Sequence, residues 1–167
     1  MLILNKWILF IDGSVHPQSG IGYGAYLAVK ESDLSLDALS ARVKVLRFYP
    51  TSSTRLELQT FLWALGELPS SARHVTVYTD SQNIIGLHGR RERIEKNNYR
   101  SRNKRLLNNA DLYEGLFRKA DQFNCSFVKV CGHQLSREKD ALDRLFTLVD
   151  RASRSALRKE VRWKTCC

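Results

Sequence analysis

Lys6-Trp7-Ile8-Leu9-Phe10-Ile11-Asp12-Gly13-Ser14 is the stretch on which the reading of this chain turns. Its apolar run, Trp7 to Ile11, is too short to span a bilayer and shows no period of 3.6 residues. It therefore fits a strand buried on both faces. The run ends on Asp12, followed at once by Gly13. A carboxylate at the tip of a central strand is held from behind and open in front, where a sheet presents a metal ligand well. Asp-Gly is also a common hairpin turn, so Asp12 gains weight only from the company it keeps further along.

Outward from that strand, Gly20-Ile21-Gly22-Tyr23-Gly24-Ala25-Tyr26-Leu27-Ala28-Val29 reads as a second strand entered through a glycine-rich turn. No Lys-Ser/Thr and no helix follow those glycines, so they are not a phosphate loop. Residues 31–40 read as a polar loop and Val43 to Tyr49 as a third strand, which makes an antiparallel meander. Thr54-Arg55-Leu56-Glu57 opens a helix of about fifteen residues with Leu58, Phe61, Leu62 and Leu65 on one face. Thr-x-x-Glu is also a capping box, which would turn Glu57 back onto its own helix end. Val75 to Thr79 is a further apolar strand ending on Asp80, which could merely cap the short helix expected from Ser81 to about Leu87.

From Arg90 to Arg105, eight of sixteen residues are Lys or Arg against two Glu. So one-sided an excess predicts a basic, partly mobile loop over 88–107 that contacts phosphates. Asn108-x-x-Asp111 should cap the next helix, Cys125 to Cys131 alternates as a last strand, and Gly132-His133 stands at its exit. Residues 141–162 form a long amphipathic helix whose outer face is basic through Arg151, Arg154, Arg158, Lys159 and Arg162.

The 167 residues suit one domain, with a core over about 6–158 and a tail over 163–167. The net charge of +10 favours a polyanionic partner, nucleic acid first. No segment approaches a membrane span and the N-terminus lacks the pattern of a signal peptide. The four cysteines form no CxxC pair and the His spacing is not that of a zinc finger, so reduced thiols and a cytoplasmic setting are expected. The reading expects a monomer with no membrane and no obligatory protein partner.

Asp12, Glu57 and Asp80 can meet only if their strands are parallel neighbours joined through the helix that carries Glu57. Three acids gathered in a basic protein repel one another unless a cation sits between them. Oxygen-only ligands with open positions select Mg²⁺ or Mn²⁺ over zinc.

In Phe10-Ile11-Asp12-Gly13-Ser14, Ser53-Thr54-Arg55-Leu56-Glu57-Leu58, Thr79-Asp80-Ser81-Gln82, Asn109-Ala110-Asp111-Leu112-Tyr113 and Val130-Cys131-Gly132-His133, the chain resembles the ribonuclease HI family. The resemblance covers about residues 6–158 in the family's element order. It implies an α/β, RNase H-like fold: a five-stranded mixed sheet, strands 1–3 antiparallel and 4–5 parallel to strand 1, flanked by helices. It also implies an endonuclease that hydrolyses the RNA strand of RNA/DNA hybrids, using four carboxylates and two divalent ions, Mg²⁺ with Mn²⁺ as substitute.

By motif, the resemblance carries over Asp12, Glu57 and Asp80 as metal ligands and His133 as a histidine that assists turnover. The fourth carboxylate departs from the pattern. Asp143 has the usual distance after the histidine, whereas the run around Asp150 is the better local match and is preferred. Substrate contacts are expected from Ser14, Ser53, Thr54, Gln82 and Asn83, with Ser53 and Thr54 standing where the family usually has amides. Arg90, Arg91, Arg93, Arg100, Arg102, Lys104 and Arg105 would seat the DNA strand. Two other readings stand beside this one: a module of the same fold that binds hybrids without cutting, and a related nuclease acting on DNA. Against a 3′ exonuclease, Ser14 stands where that class has a second acid.

Overall fold

Alternation along β1 (Lys6–His16) sends Leu9 and Ile11 to one side of the sheet and Ile8 and Phe10 to the other, and all four are buried. The structure is a computed structural model that describes residues 6–33, 39–130 and 140–165. β1 pairs antiparallel with β2 (Ile21–Lys30), which pairs antiparallel with β3 (Lys44–Phe48). On its other side β1 runs parallel to β4 (His74–Thr79), which runs parallel to β5 (Cys125–Lys129). The result is a five-stranded mixed sheet of order β3-β2-β1-β4-β5, as expected.

Helices cover both faces. Against Leu9, Ile11 and Val77 lie α1 (Ser53–Glu67), through Phe61 and Leu65, and α4 (Ala110–Gln122), through Leu116 and Phe117. Two short helices after β4, α2 (Gln82–Ile85) and α3 (Leu87–Lys96), join that layer through Ile84, Leu87 and Ile94. The opposite face, with Ile8, Phe10 and Leu27, is closed by α5 (Ala141–Thr165) through Leu145, Phe146 and Val149. Gly24 decides how near α1 can come. A Cβ there would overlap the side chain of Thr60, so only glycine permits this approach of helix to sheet.

Several boundaries differ from those read in sequence. β1 does not stop at Asp12 but runs to His16, so the hairpin turn falls at residues 17–20 and Asp12-Gly13 is strand. The third strand is a residue shorter at each end. The stretch expected as a basic loop is helical as far as Lys96, because Leu87 and Ile94 are buried and Arg91 pairs with Glu95 one turn on. Asn109, at φ 68°, precedes α4 with no side-chain cap bond, in place of the Asn108 cap. α5 reaches Thr165, into the expected tail. Among the described residues no helix is long and apolar enough to cross a membrane.

Candidate active site

The parallel pairing of β1 with β4 ends at Phe10↔Tyr78, although β1 itself continues. Asp12 lies two residues past that last pair and Asp80 one residue past the end of β4. Both therefore stand where the two strands part, a crevice at the carboxyl ends of parallel strands. The alternation that buries Phe10 towards α5 turns Asp12 the same way: Ser153 Oγ of α5 lies 3.4 Å from Asp12 Oδ2 and donates to the Asp150 carbonyl at 3.0 Å. α1 closes the crevice from the other sheet face.

A cleft of about 270 Å³ results, lined among others by Asp12, Glu57, Asp80, Asp150, Ser53 and Arg154. Four carboxylates from four separate segments thus share one cavity. Glu57 is not in a capping box. The N-cap of α1 is Ser52, whose hydroxyl accepts from Arg55 N at 3.3 Å, so Glu57 sits a full turn inside the helix. Asp80 is likewise spared capping work, because Ser81 caps α2 by accepting from Ile84 N at 3.1 Å.

The charges in this cleft are under strain. Burial, then Asp80 and Asp150, push the Asp12 carboxyl up to about 8, and the Gly13 N–H only partly offsets them. Glu57 is also raised, chiefly by burial and further by Asp80, while Ser81 and Asn83 hold it down. Arg154 Nε meets Asp150 Oδ1 at 2.7 Å, one cation against four acids. Among the described residues no three His, Cys, Asp or Glu side chains already close into a coordinating group. An all-oxygen donor set in which neighbouring carboxylates hold up the pKa of Asp12 and Glu57 fits hard divalent cations.

Asp143 stands elsewhere. Its backbone N–H donates to Asp140 Oδ1 at 2.8 Å and its Oδ2 accepts from Asp140 N at 3.4 Å, a reciprocal cap on the first turn of α5. Of the two acids weighed for the fourth position, Asp150 is the one in the cleft. His133 lies outside the described residues.

The expected substrate contacts divide. Arg93, Arg100, Arg102 and Lys104 line one groove beyond α3, and Arg105 is exposed beside it. Arg90 and Arg91 are turned to protein partners instead. Arg90 donates to the Asn83 carbonyl and Oδ1 at 2.7 Å each, and Arg91 pairs bidentately with Asp121 while lying 5.0 Å from the Phe117 ring centroid. Ser53 and Thr54 are exposed at the start of α1, and Ser14 lies on β1 beyond Asp12. Gln82 accepts from Lys129 Nζ at 2.8 Å. Arg154, Thr60 and Ser81 also line the cleft and were not singled out as site residues from sequence. For Arg154 the available signal was its i, i+4 spacing from Asp150.

A sequence profile described as RNase H matches residues 5–149. The chain belongs to the RNase H family. Its relatives include the Ribonuclease H of Ruthia magnifica subsp. Calyptogena magnifica, 26% identical over 147 residues that cover 87% of this chain and 95% of that protein. The Ribonuclease H of Caldicellulosiruptor saccharolyticus is 32% identical over 123 residues, 71% of this chain and 79% of that protein. The Ribonuclease HI of Synechocystis sp. is 28% identical over 145 residues, 84% and 85% of the two chains. Asp12, Glu57 and Asp80 fall inside the RNase H match, and Asp150 stands one residue beyond it.

Proposed function

We propose that this chain is an endoribonuclease that hydrolyses the RNA strand of RNA/DNA hybrids, leaving 5′-phosphate and 3′-hydroxyl ends. The observation that carries the proposal is the cleft itself: four carboxylates from β1, α1, the end of β4 and α5 gathered in a protein of net charge +10. Membership of the RNase H family supports the substrate class.

Asp12, Glu57, Asp80 and Asp150 would hold two divalent ions, Mg²⁺ with Mn²⁺ as substitute. When bound, such ions neutralise charge on a scissile phosphate and acidify water at neutral pH. The chain's own contribution is to position. Burial among the strand ends keeps Asp12 from turning away, and Ser81 and Asn83 orient Glu57. Glu57, entering from α1, would sense the 2′-hydroxyl beside the cut, the group that separates RNA from DNA. Ser53 and Thr54, at the same helix start, would offer short hydroxyls to the backbone, joined by Gln82 and Asn83 from the first turn of α2. Arg93, Arg100, Arg102, Lys104 and Arg105 would seat the DNA strand through phosphates. His133 is assigned to assisting turnover rather than to binding metal.

The test is incubation of the protein with Mg²⁺ and end-labelled RNA/DNA hybrid, double-stranded RNA or double-stranded DNA. Cleavage confined to the RNA strand of the hybrid is expected. Binding without cleavage in either Mg²⁺ or Mn²⁺, or attack on DNA, would overturn the assignment.

A further inference from the structure

Beyond Asp150 and Arg154, the outward face of α5 has no part in the site described above. Past Asp150, residues 151–165 carry six Lys or Arg against one Glu. The helical period sorts them. Val149, Ser153 and Leu157 are buried towards the sheet, while Arg151, Arg154, Arg158 and Lys159 are exposed and share a shallow groove with Asp150. The lone acid, Glu160, faces inward: Tyr23 Oη donates to it at 2.6 Å and Arg47 donates to both its oxygens at 2.9 Å. That clamp ties the far half of the helix to β2 and β3, so the cations stand on a rigid rod. No acid remains on the outer face beyond Asp150 to balance them.

The stripe begins at the cleft, since Arg154 lines both it and the groove. It then runs away on the sheet face opposite to that of α3 and its basic groove. Basic surfaces thus lie on both sheet faces. From Asp150 to Arg162 the helix rises about 18 Å at 1.5 Å per residue, about five base pairs of duplex at 3.4 Å each.

We propose that the basic stripe of α5, centred on Arg151, Arg158 and Lys159, is a second nucleic-acid seat. It grips backbone phosphates of the hybrid where the duplex leaves the cleft on the side away from α3. The proposal rests on the nucleic-acid reading above and adds to it a footprint on the opposite face. Its chemistry is charge alone, so it lengthens the footprint without reading bases.

The triple variant Arg151→Gln/Arg158→Gln/Lys159→Gln tests it, beside a control triple, Lys30→Gln/Arg73→Gln/Arg118→Gln, that removes the same charge from exposed positions remote from the stripe. Binding of a fluorescent hybrid is followed in EDTA across a salt series, with melting curves to verify folding. The stripe triple should flatten the slope of log Kobs against log salt by about 2 to 3, one contact's share per cation removed, and the control by less than about 1. In a series of hybrids extended to one side or the other of a fixed cut, the loss should grow with extension on one side only. Equal slopes for the two triples, or a loss independent of hybrid length, would overturn the seat while wild-type cleavage leaves the proposed function standing. Unchanged hybrid binding with lost binding to phosphatidylserine vesicles would overturn it in favour of a lipid surface. A wild-type protein that binds no nucleic acid at all would remove both.

Discussion

Replacing Asp12 by Asn should destroy cleavage yet stabilise the metal-free protein, and its stability effect can be worked from the structure. The Asp12 carboxyl is raised from 3.8 to about 8 by burial and by Asp80 and Asp150, with Glu57 and Arg154 the other charged groups lining the cleft. An acid raised in the folded state keeps its proton there after the unfolded chain has released it. Stability therefore falls as pH climbs from about 4 to about 8 and levels off above. At 1.36 kcal/mol per unit, the ceiling on this penalty is about 2 kcal/mol at pH 5 and about 4 at pH 7. The cleft is open to water, so the effective dielectric is nearer 20 than that of a dry interior, and we expect about 1–2 kcal/mol at pH 7. For a chain of this size that is a rise of about 2–8 °C in Tm. The assay is thermal unfolding of wild type and Asp12→Asn in EDTA from pH 5 to pH 9, repeated with Mg²⁺. The advantage of the variant should widen from pH 5 to pH 8, then hold constant. Mg²⁺ should shrink it, because only wild type offers the full carboxylate set. An Asn variant less stable than wild type, or an advantage that ignores pH, would refute the reasoning.

Four further outcomes follow from the same geometry. Asp150→Asn should abolish cleavage of a hybrid, whereas Asp143→Asn should keep activity and cost less than about 1 kcal/mol in urea unfolding, since its amide oxygen still accepts from Asp140 N and only a charge at the start of α5 is lost. Gly24→Ala should cost about 1–3 kcal/mol by overpacking against Thr60, and cleavage should fall with it as α1 carries Glu57 away from the sheet; a Tm within 1 °C of wild type would contradict this. Arg90→Ala should lower kcat more than hybrid affinity, since its guanidinium holds Asn83 beside Glu57. The combined Arg93→Gln/Arg100→Gln/Arg102→Gln/Lys104→Gln variant should weaken binding and flatten its salt dependence by about 3.

Local pattern carried much of this protein. The unbroken apolar run before Asp12 and the second one before Asp80 mark strands whose side chains have only core to meet. Three acids in a basic chain call for a shared cation wherever they gather. The helical period of residues 141–162 separates an apolar side from a cationic one with no knowledge of what either faces. The composition of residues 90–105 misled, because burial of two residues, Leu87 and Ile94, outweighs the solvated charge around them and winds the first part into helix. Arg90 and Arg91 look like their neighbours along the chain, and only the tertiary fold pairs them with Asn83 and Asp121.

The strand-and-helix order, the chemistry of the acids and the sign of the surface are legible along the chain, since each depends on residue type and near neighbours. Which acids meet is a matter of packing. Asp143 and Asp150 stand two turns apart on one helix, so periodicity treats them alike. The register of α5 against β1 separates them: it brings Ser153 and Asp150 to Asp12 and leaves Asp143 to cap the helix start. That choice is made by contacts between residues more than a hundred positions apart, which no local pattern encodes.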